Sequence, residues 1–175
     1  IDQRTQKMEK AALRIAFTGP ESSGKTTMAT WCAQEFSLTY IDEFARIYLA
    51  HQSSYIQEDL DVMAQKQVAL WPKKGFVADT EMHVFQVWSQ VKYAEVSPVI
   101  SQLLKEQHFD HYFLCAPDIP WEPDPLRENP DDRQQLFEFY LSALQKNGRS
   151  FTILSGSLDK RQELIKVKVL SLMNA

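Results

Sequence analysis

Residues Gly19-Pro-Glu-Ser-Ser-Gly24-Lys25-Thr26 fit the pattern G-x-x-x-x-G-K-[ST], and their surroundings match what that pattern requires. Arg14 to Thr18 reads as a short buried strand. Lys25 to Phe36 reads as a helix with apolar positions at Met28, Trp31, Cys32, Ala33 and Phe36. A strand, a glycine-bearing loop and a helix start in that order build a nest of backbone N–H groups beside a positive helix end. Gly19 and Gly24 permit backbone angles that a Cβ would obstruct. The chain has only five glycines, so a chance match in this context is improbable. The loop implies a bound nucleoside triphosphate. Gly19, Ser22, Ser23, Gly24, Lys25, Thr26 and Thr27 would wrap its phosphates, with Lys25 on the β- and γ-phosphates and the Thr26 hydroxyl on Mg²⁺.

Further strands are expected at 37–42, 76–80, 111–116 and 150–154. Helices are expected to about Ala50, from about Gln57 to Trp71, from Glu81 to Tyr93, from Ser97 to about Gln107, from Asp131 to Asn147 and from Leu158 to Met173. Ser97 and Pro98 have the chemistry of a helix cap and first turn. Alternating strands and helices imply an α/β protein, a P-loop three-layer α/β/α sandwich around a five-stranded parallel sheet with right-handed crossovers. Residues 1–12 form a polar lead-in, and 13–175 one domain. Ligands of such sheets bind beyond the carboxyl ends of the strands. That edge should gather Gly19, Asp42, Glu43, Asp79, Thr80, segment 117–130 and Ser155-Gly156.

The net charge of −4 argues against a nucleic-acid-binding role, which usually needs a basic face, while a local basic pocket for phosphates stays compatible with it. No apolar run approaches a membrane span, and the first ten residues are polar. Cys32 and Cys115 read as buried apolar residues in a reducing compartment, and the cytoplasm is the expected location. The chain opens on Ile1 rather than methionine, which leaves room for an upstream segment. The four histidines show no metal-ligand spacing.

Asp79 closes an apolar strand and is the candidate for the second magnesium ligand, with a helix N-cap as the rival role. Glu43 follows the second strand, where a carboxylate could accept the proton of an attacking hydroxyl; a cap or an ion pair is the alternative. Arg46, three residues on, either faces the same site or is a solvated surface arginine. Segment 117–130 holds five prolines and no glycine, a stiff lid-like stretch within about 117–133. Arg127 in it could stabilise charge on a transferring phosphoryl group. Arg133 is the lesser candidate and is expected to pair within its own first helical turn. Phe85, Trp88 and Lys92 form a helical stripe that reads first as core. Trp88 and Trp121 are candidates to stack on a planar substrate base.

The phosphate loop, Asp42-Glu-Phe-Ala-Arg46, Asp79-Thr-Glu81 and Asp124-Pro-Leu-Arg127 together resemble the kinase domain of the NadR-type P-loop family, in order from about Arg14 to about Leu172. Members are ribosylnicotinamide kinases, which transfer the ATP γ-phosphate to the 5′-hydroxyl of nicotinamide riboside. The resemblance implies catalytic roles for Lys25, Glu43, Asp79 and Arg127, and metal binding by Thr26 and Asp79. It implies acceptor contacts by Glu43, Arg46 and Glu81, with ATP and Mg²⁺ as cofactors, while Trp88 and Trp121 stand as acceptor contacts on the residue reading alone. Glu81 stands where the family has a shorter aspartate. No counterpart of the family's helix-turn-helix or nucleotidyltransferase portions is seen, so DNA binding and adenylyl transfer are not expected. A P-loop ATPase or switch acting on a protein partner is the alternative, and a non-catalytic nucleotide-binding module a third reading. Oligomeric state is left open.

Overall fold

A computed structural model describes residues 12–120 and 132–174. Its elements run β1 (Arg14–Thr18), α1 (Lys25–Glu35), β2 (Thr39–Ile41), α2 (Phe44–Leu49), α3 (Gln57–Ala69), β3 (Phe76–Asp79), α4 (Met82–Tyr93), α5 (Pro98–Glu106), β4 (His111–Cys115), α6 (Arg133–Lys146), β5 (Phe151–Leu154) and α7 (Leu158–Met173). The strands form one parallel sheet in the order β2-β3-β1-β4-β5. The expected α/β/α sandwich is therefore present, and the central strand is the one that feeds the phosphate loop.

The near-continuous apolar character of β1, β3 and β4 follows from burial on both faces, the condition of a parallel sheet covered by helices. Alternation divides their side chains between two cores. Ile15, Phe17, Val77, Phe113 and Cys115 pack against Met28 and Cys32 of α1 and Ile165, Val169 and Met173 of α7. Ala16, Ala78, Tyr112 and Leu114 meet Val84 and Val87 of α4 and Leu136, Phe137, Tyr140 and Leu144 of α6 on the other face. Phe17 is fully buried and lies 5.2 Å from the Phe113 ring, so truncating it to alanine should cost about 3–5 kcal/mol. A third cluster, with Leu60, Met63, Phe85 and Ile100, joins α3, α4 and α5 beside the β2 edge.

Local rules fix the ends. The Ser97 hydroxyl accepts the Ile100 N–H with Pro98 in the first turn of α5, as its sequence requires. β3 stops at Asp79 because Thr80 turns to φ +94°, a conformation a β-branched residue adopts only when its surroundings enforce it. Both cysteines are free and buried, and burial pushes each thiol up to about 12.

Candidate functional site

A cavity of about 390 Å³ lies beyond the carboxyl ends of β1 and β2, and neither Asp79 nor Thr80 at the end of β3 lines it. The phosphate loop, Gly19 to Thr27, forms one wall. Ala45, Arg46 and Leu49 of α2, Val84, Val87, Trp88, Val91 and Lys92 of α4, and Leu136 and Tyr140 of α6 form the other, with Glu43 and Ile119 at its edge. One half is thus polar backbone with the Lys25 side chain, and the other is largely apolar, with the Trp88 and Tyr140 rings and the cationic Arg46 and Lys92 among its residues.

The loop's shape rests on its glycines. Gly19 has φ +135°, and a Cβ there would meet the Cys115 carbonyl oxygen at 2.8 Å, so β1 can pass this close to β4 only without a side chain. Gly24, at φ +82°, occupies the N-cap of α1 without any side-chain cap, which leaves the first-turn N–H groups available to a ligand. Ser22 also takes a positive φ, +58°. The Ser23 hydroxyl donates to the Pro20 carbonyl at 2.7 Å and closes the loop on itself.

At the mouth of α1, Thr26 Oγ1 donates to Asp79 Oδ2 at 2.7 Å, and the Tyr40 hydroxyl donates to the same oxygen at 2.9 Å. Tyr40 was not legible as a site residue. Burial, then the Asp79 charge, pushes its pKa up, so it remains a proton donor to that carboxylate. Asp79 Oδ1 is buried and has no partner among the described residues. An orphaned carboxylate oxygen beside a threonine hydroxyl is a donor set that suits a hard divalent cation such as Mg²⁺, which takes one or two protein oxygens and completes its shell with water and phosphate. Asp79 is not the N-cap of α4; that cap is Glu81.

Lys25 Nζ donates to Thr80 Oγ1 at 3.2 Å, an interaction that the turned backbone of Thr80 makes possible. Burial acts to lower the Lys25 pKa, but the negative charges of Glu43, Asp79 and Glu21 outweigh it and hold the pKa above the ordinary value. The ammonium is therefore a fixed positive charge in the cavity. Glu43 is the N-cap residue of α2, with its Oε2 3.7 Å from Arg46 Nε. Asp42 turns aside to accept the Glu43 N–H at 2.7 Å. Trp88 belongs both to the third cluster and to the cavity wall; its indole N–H donates to the Tyr55 hydroxyl at 3.0 Å and its ring stacks on Phe85.

Glu81 departs from the expected acceptor contact. It is fully buried, outside the cavity lining, and its Oε2 accepts from the His83 N–H, from His83 Nδ1 and from Gln107 Nε2, each at 2.8 Å. Burial would raise its pKa, but His83 and these hydrogen bonds bring it below the usual carboxylate range. The residue after Thr80 emerges on the inner side of the turn, so its longer side chain caps α4 from within.

Arg133 also departs from expectation. Rather than pairing only within its first helical turn, it donates from Nη1 to the carbonyls of Ser22 (3.0 Å) and Ile119 (2.8 Å). Arg161, not among the residues expected at the site, is completely buried beneath the loop. It donates to the Ser23, Ala116 and Gly156 carbonyls at 2.6, 3.0 and 3.1 Å and pairs with Asp118. Arg127 and Trp121 lie outside the described residues, as does most of the lid-like segment.

This constellation defines a nucleotide-binding P-loop protein with the fold of the nucleoside and nucleotide kinases. The chain belongs to a family of AAA domains, whose family model matches residues 14–161. Among curated proteins it is 25% identical over 150 residues to the trifunctional NAD biosynthesis/regulator protein NadR of Salmonella typhimurium, covering 78% of this chain. The match spans 37% of that relative's length. It is also 39% identical over 59 residues to the cytidylate kinase of Streptococcus equi subsp. zooepidemicus, covering 31% of this chain and 26% of that one. In three dimensions a NadR protein in complex with NR superposes with a TM-score of 0.76 at 18% identity, covering 97% of this chain and 54% of that one. Deoxyadenosine kinase from M. mycoides superposes with a TM-score of 0.65 at 15% identity, covering 91% of this chain and all of that one. Among the described residues no helix is long and apolar enough to cross a membrane.

Proposed function

We propose that the chain is an ATP-dependent small-molecule kinase that phosphorylates the 5′-hydroxyl of nicotinamide riboside or a similar nucleoside. The observation that carries this reading is the continuity of the cavity. The phosphate loop runs without a barrier into a pocket walled by Trp88, Val84, Val87, Leu49 and Tyr140, apolar enough for a planar base and ribose and bordered by Glu43 and Arg46. The sequence relatives, one acting in NAD biosynthesis and one a cytidylate kinase, support an acceptor of this class.

In this reading the loop amides and Lys25 hold the triphosphate, with Thr26 and Asp79 as the protein ligands of Mg²⁺. Held by Thr26 and Asp79, Mg²⁺ would supply positive charge that offsets the charge of the phosphates. Glu43 orients the acceptor hydroxyl and accepts its proton. The new bond forms between that oxygen and the γ-phosphorus, the bond from the γ-phosphorus to the β,γ-bridging oxygen breaks, and ADP leaves with the electron pair. Arg46 holds the Glu43 carboxylate in place, and Trp88 packs against the base. Arg127 and Trp121 keep their proposed roles as a charge-stabilising arginine and a second stacking ring.

ADP release measured with and without a panel of nucleosides tests the reading. Acceleration by one nucleoside is the expected result. A fixed basal rate would support the ATPase alternative instead, and no release would support a binding module.

A further inference from the structure

The peptide planes of the phosphate loop are held from behind. All peptide bonds among the described residues are trans, so the C=O of one residue and the N–H of the next point in opposite directions. The Ser22 carbonyl is bonded to Arg133 Nη1 and the Ser23 carbonyl to Arg161 Nη1. Neither arginine lines the cavity, and Arg161 is wholly inaccessible to solvent. A guanidinium that holds a carbonyl from outside the cavity lining would turn the following N–H, that of Ser23 or Gly24, toward the cavity. The Ser23 hydroxyl does the same for the Pro20 carbonyl and hence the Glu21 N–H. The left-handed Ser22 and Gly24 residues are what such an alternation of inward N–H groups demands.

We propose that Arg161 and Arg133 are positioning residues for polyphosphate binding, which fix the loop's N–H groups on the phosphate site without touching the ligand. Arg161 has the wider reach. Its Nε and Nη2 hold the Gly156 and Ala116 carbonyls, and the Asp118 carboxylate that pairs with it also accepts the Gly156 N–H. The turn before α7, the exit of β4 and the phosphate loop are thus locked to one guanidinium. Gly24 packs directly against it, since a Cβ there would lie 3.4 Å from Arg161 Nη1. A binding loop whose amides are already aimed spends less ordering free energy on its ligand, which is the source of the affinity.

This inference rests on the nucleotide-binding reading of the loop, and the test separates the two. Inorganic tripolyphosphate is titrated into the ¹⁵N-labelled full chain, wild type, Arg161→Lys and Arg133→Gln, while amide resonances and affinity are followed. In the wild type the Glu21, Ser23 and Gly24 amides should shift. Each variant should bind about tenfold more weakly. The response should shrink chiefly at Gly24 in Arg161→Lys and chiefly at Ser23 in Arg133→Gln. Lysine keeps the charge but cannot hold four acceptors, so a general charge effect would leave Arg161→Lys unaltered and overturn the proposal. Equal weakening with uniform changes across the sheet, the mark of a merely structural role, would overturn it too. If Arg161→Lys does not fold, Arg133→Gln decides the matter through Ser23. A wild type that ignores tripolyphosphate sinks the nucleotide reading first; a wild type that binds, with variants that bind equally, sinks only the positioning role.

Discussion

Thr26 Oγ1 and Asp79 Oδ2 lie 2.7 Å apart, joining the first turn of the helix after the phosphate loop to the end of the neighbouring strand. One oxygen of that carboxylate is satisfied twice and the other, though buried, not at all among the described residues. Removing the charge while keeping the shape isolates what the idle oxygen is for. Asp79→Asn should lower turnover by about a hundredfold or more and raise the Mg²⁺ concentration needed for half-maximal rate. Initial rates across a magnesium series check this.

Lys25 lies at the heart of the polar half, its positive charge secured by surrounding carboxylates. Lys25→Ala should reduce ATP turnover to background while the far-ultraviolet spectrum and melting curve remain close to those of the wild type. Unchanged turnover would remove the loop from the mechanism.

Gly19 has no room for a methyl group and a φ that L-residues rarely adopt. Gly19→Ala should cost about 1–3 kcal/mol in backbone strain, more if β4 cannot yield, and weaken nucleotide binding through the displaced loop. Chemical denaturation and a nucleotide titration read the two effects separately.

His111 sits away from the site, accepting or donating to Ser150 Oγ at 3.0 Å and Thr152 Oγ1 at 2.8 Å. Burial, then the charge of Lys168, lowers its pKa from 6.5 to about 4. The unfolded chain binds the proton more readily, so the stabilisation is complete above about pH 6.5 and is lost as pH falls toward 4. The loss is on the order of 2 to 3 kcal/mol across that window. Urea midpoints of wild type and His111→Gln, compared from pH 7 down to about 4.5, should converge on acidification by that amount.

The strands were legible to within a residue or two: β1, β3 and β4 are short apolar runs bounded by turns because the sheet is buried there on both faces, and the more exposed edge strands β2 and β5 still read as β-rich runs between turns. The phosphate loop was legible because its chemistry is local. What escaped depends on direction. Glu81 follows Thr80, and only the positive φ of Thr80 decides that the carboxylate enters the core. Arg161 sits in a charged stretch, Asp159-Lys-Arg-Gln-Glu163, that reads as a solvated helix face. Yet it shares the four-residue spacing of Ile165, Val169 and Met173, the buried stripe of α7. An arginine at the first position of an apolar stripe, near a sheet's ligand edge, was the available signal. Tyr40 lies on a three-residue edge strand, too short for alternation to say which way its ring points.

Phosphoryl transfer to a small acceptor is read from its product. The full chain is incubated with ATP, Mg²⁺ and nicotinamide riboside alongside other nucleosides, and each mixture is analysed by mass spectrometry. Appearance of one nucleoside monophosphate with matching ADP, lost in Glu43→Gln, is the predicted result. ADP formed at one rate in every mixture, with no phosphorylated nucleoside in any, would contradict it.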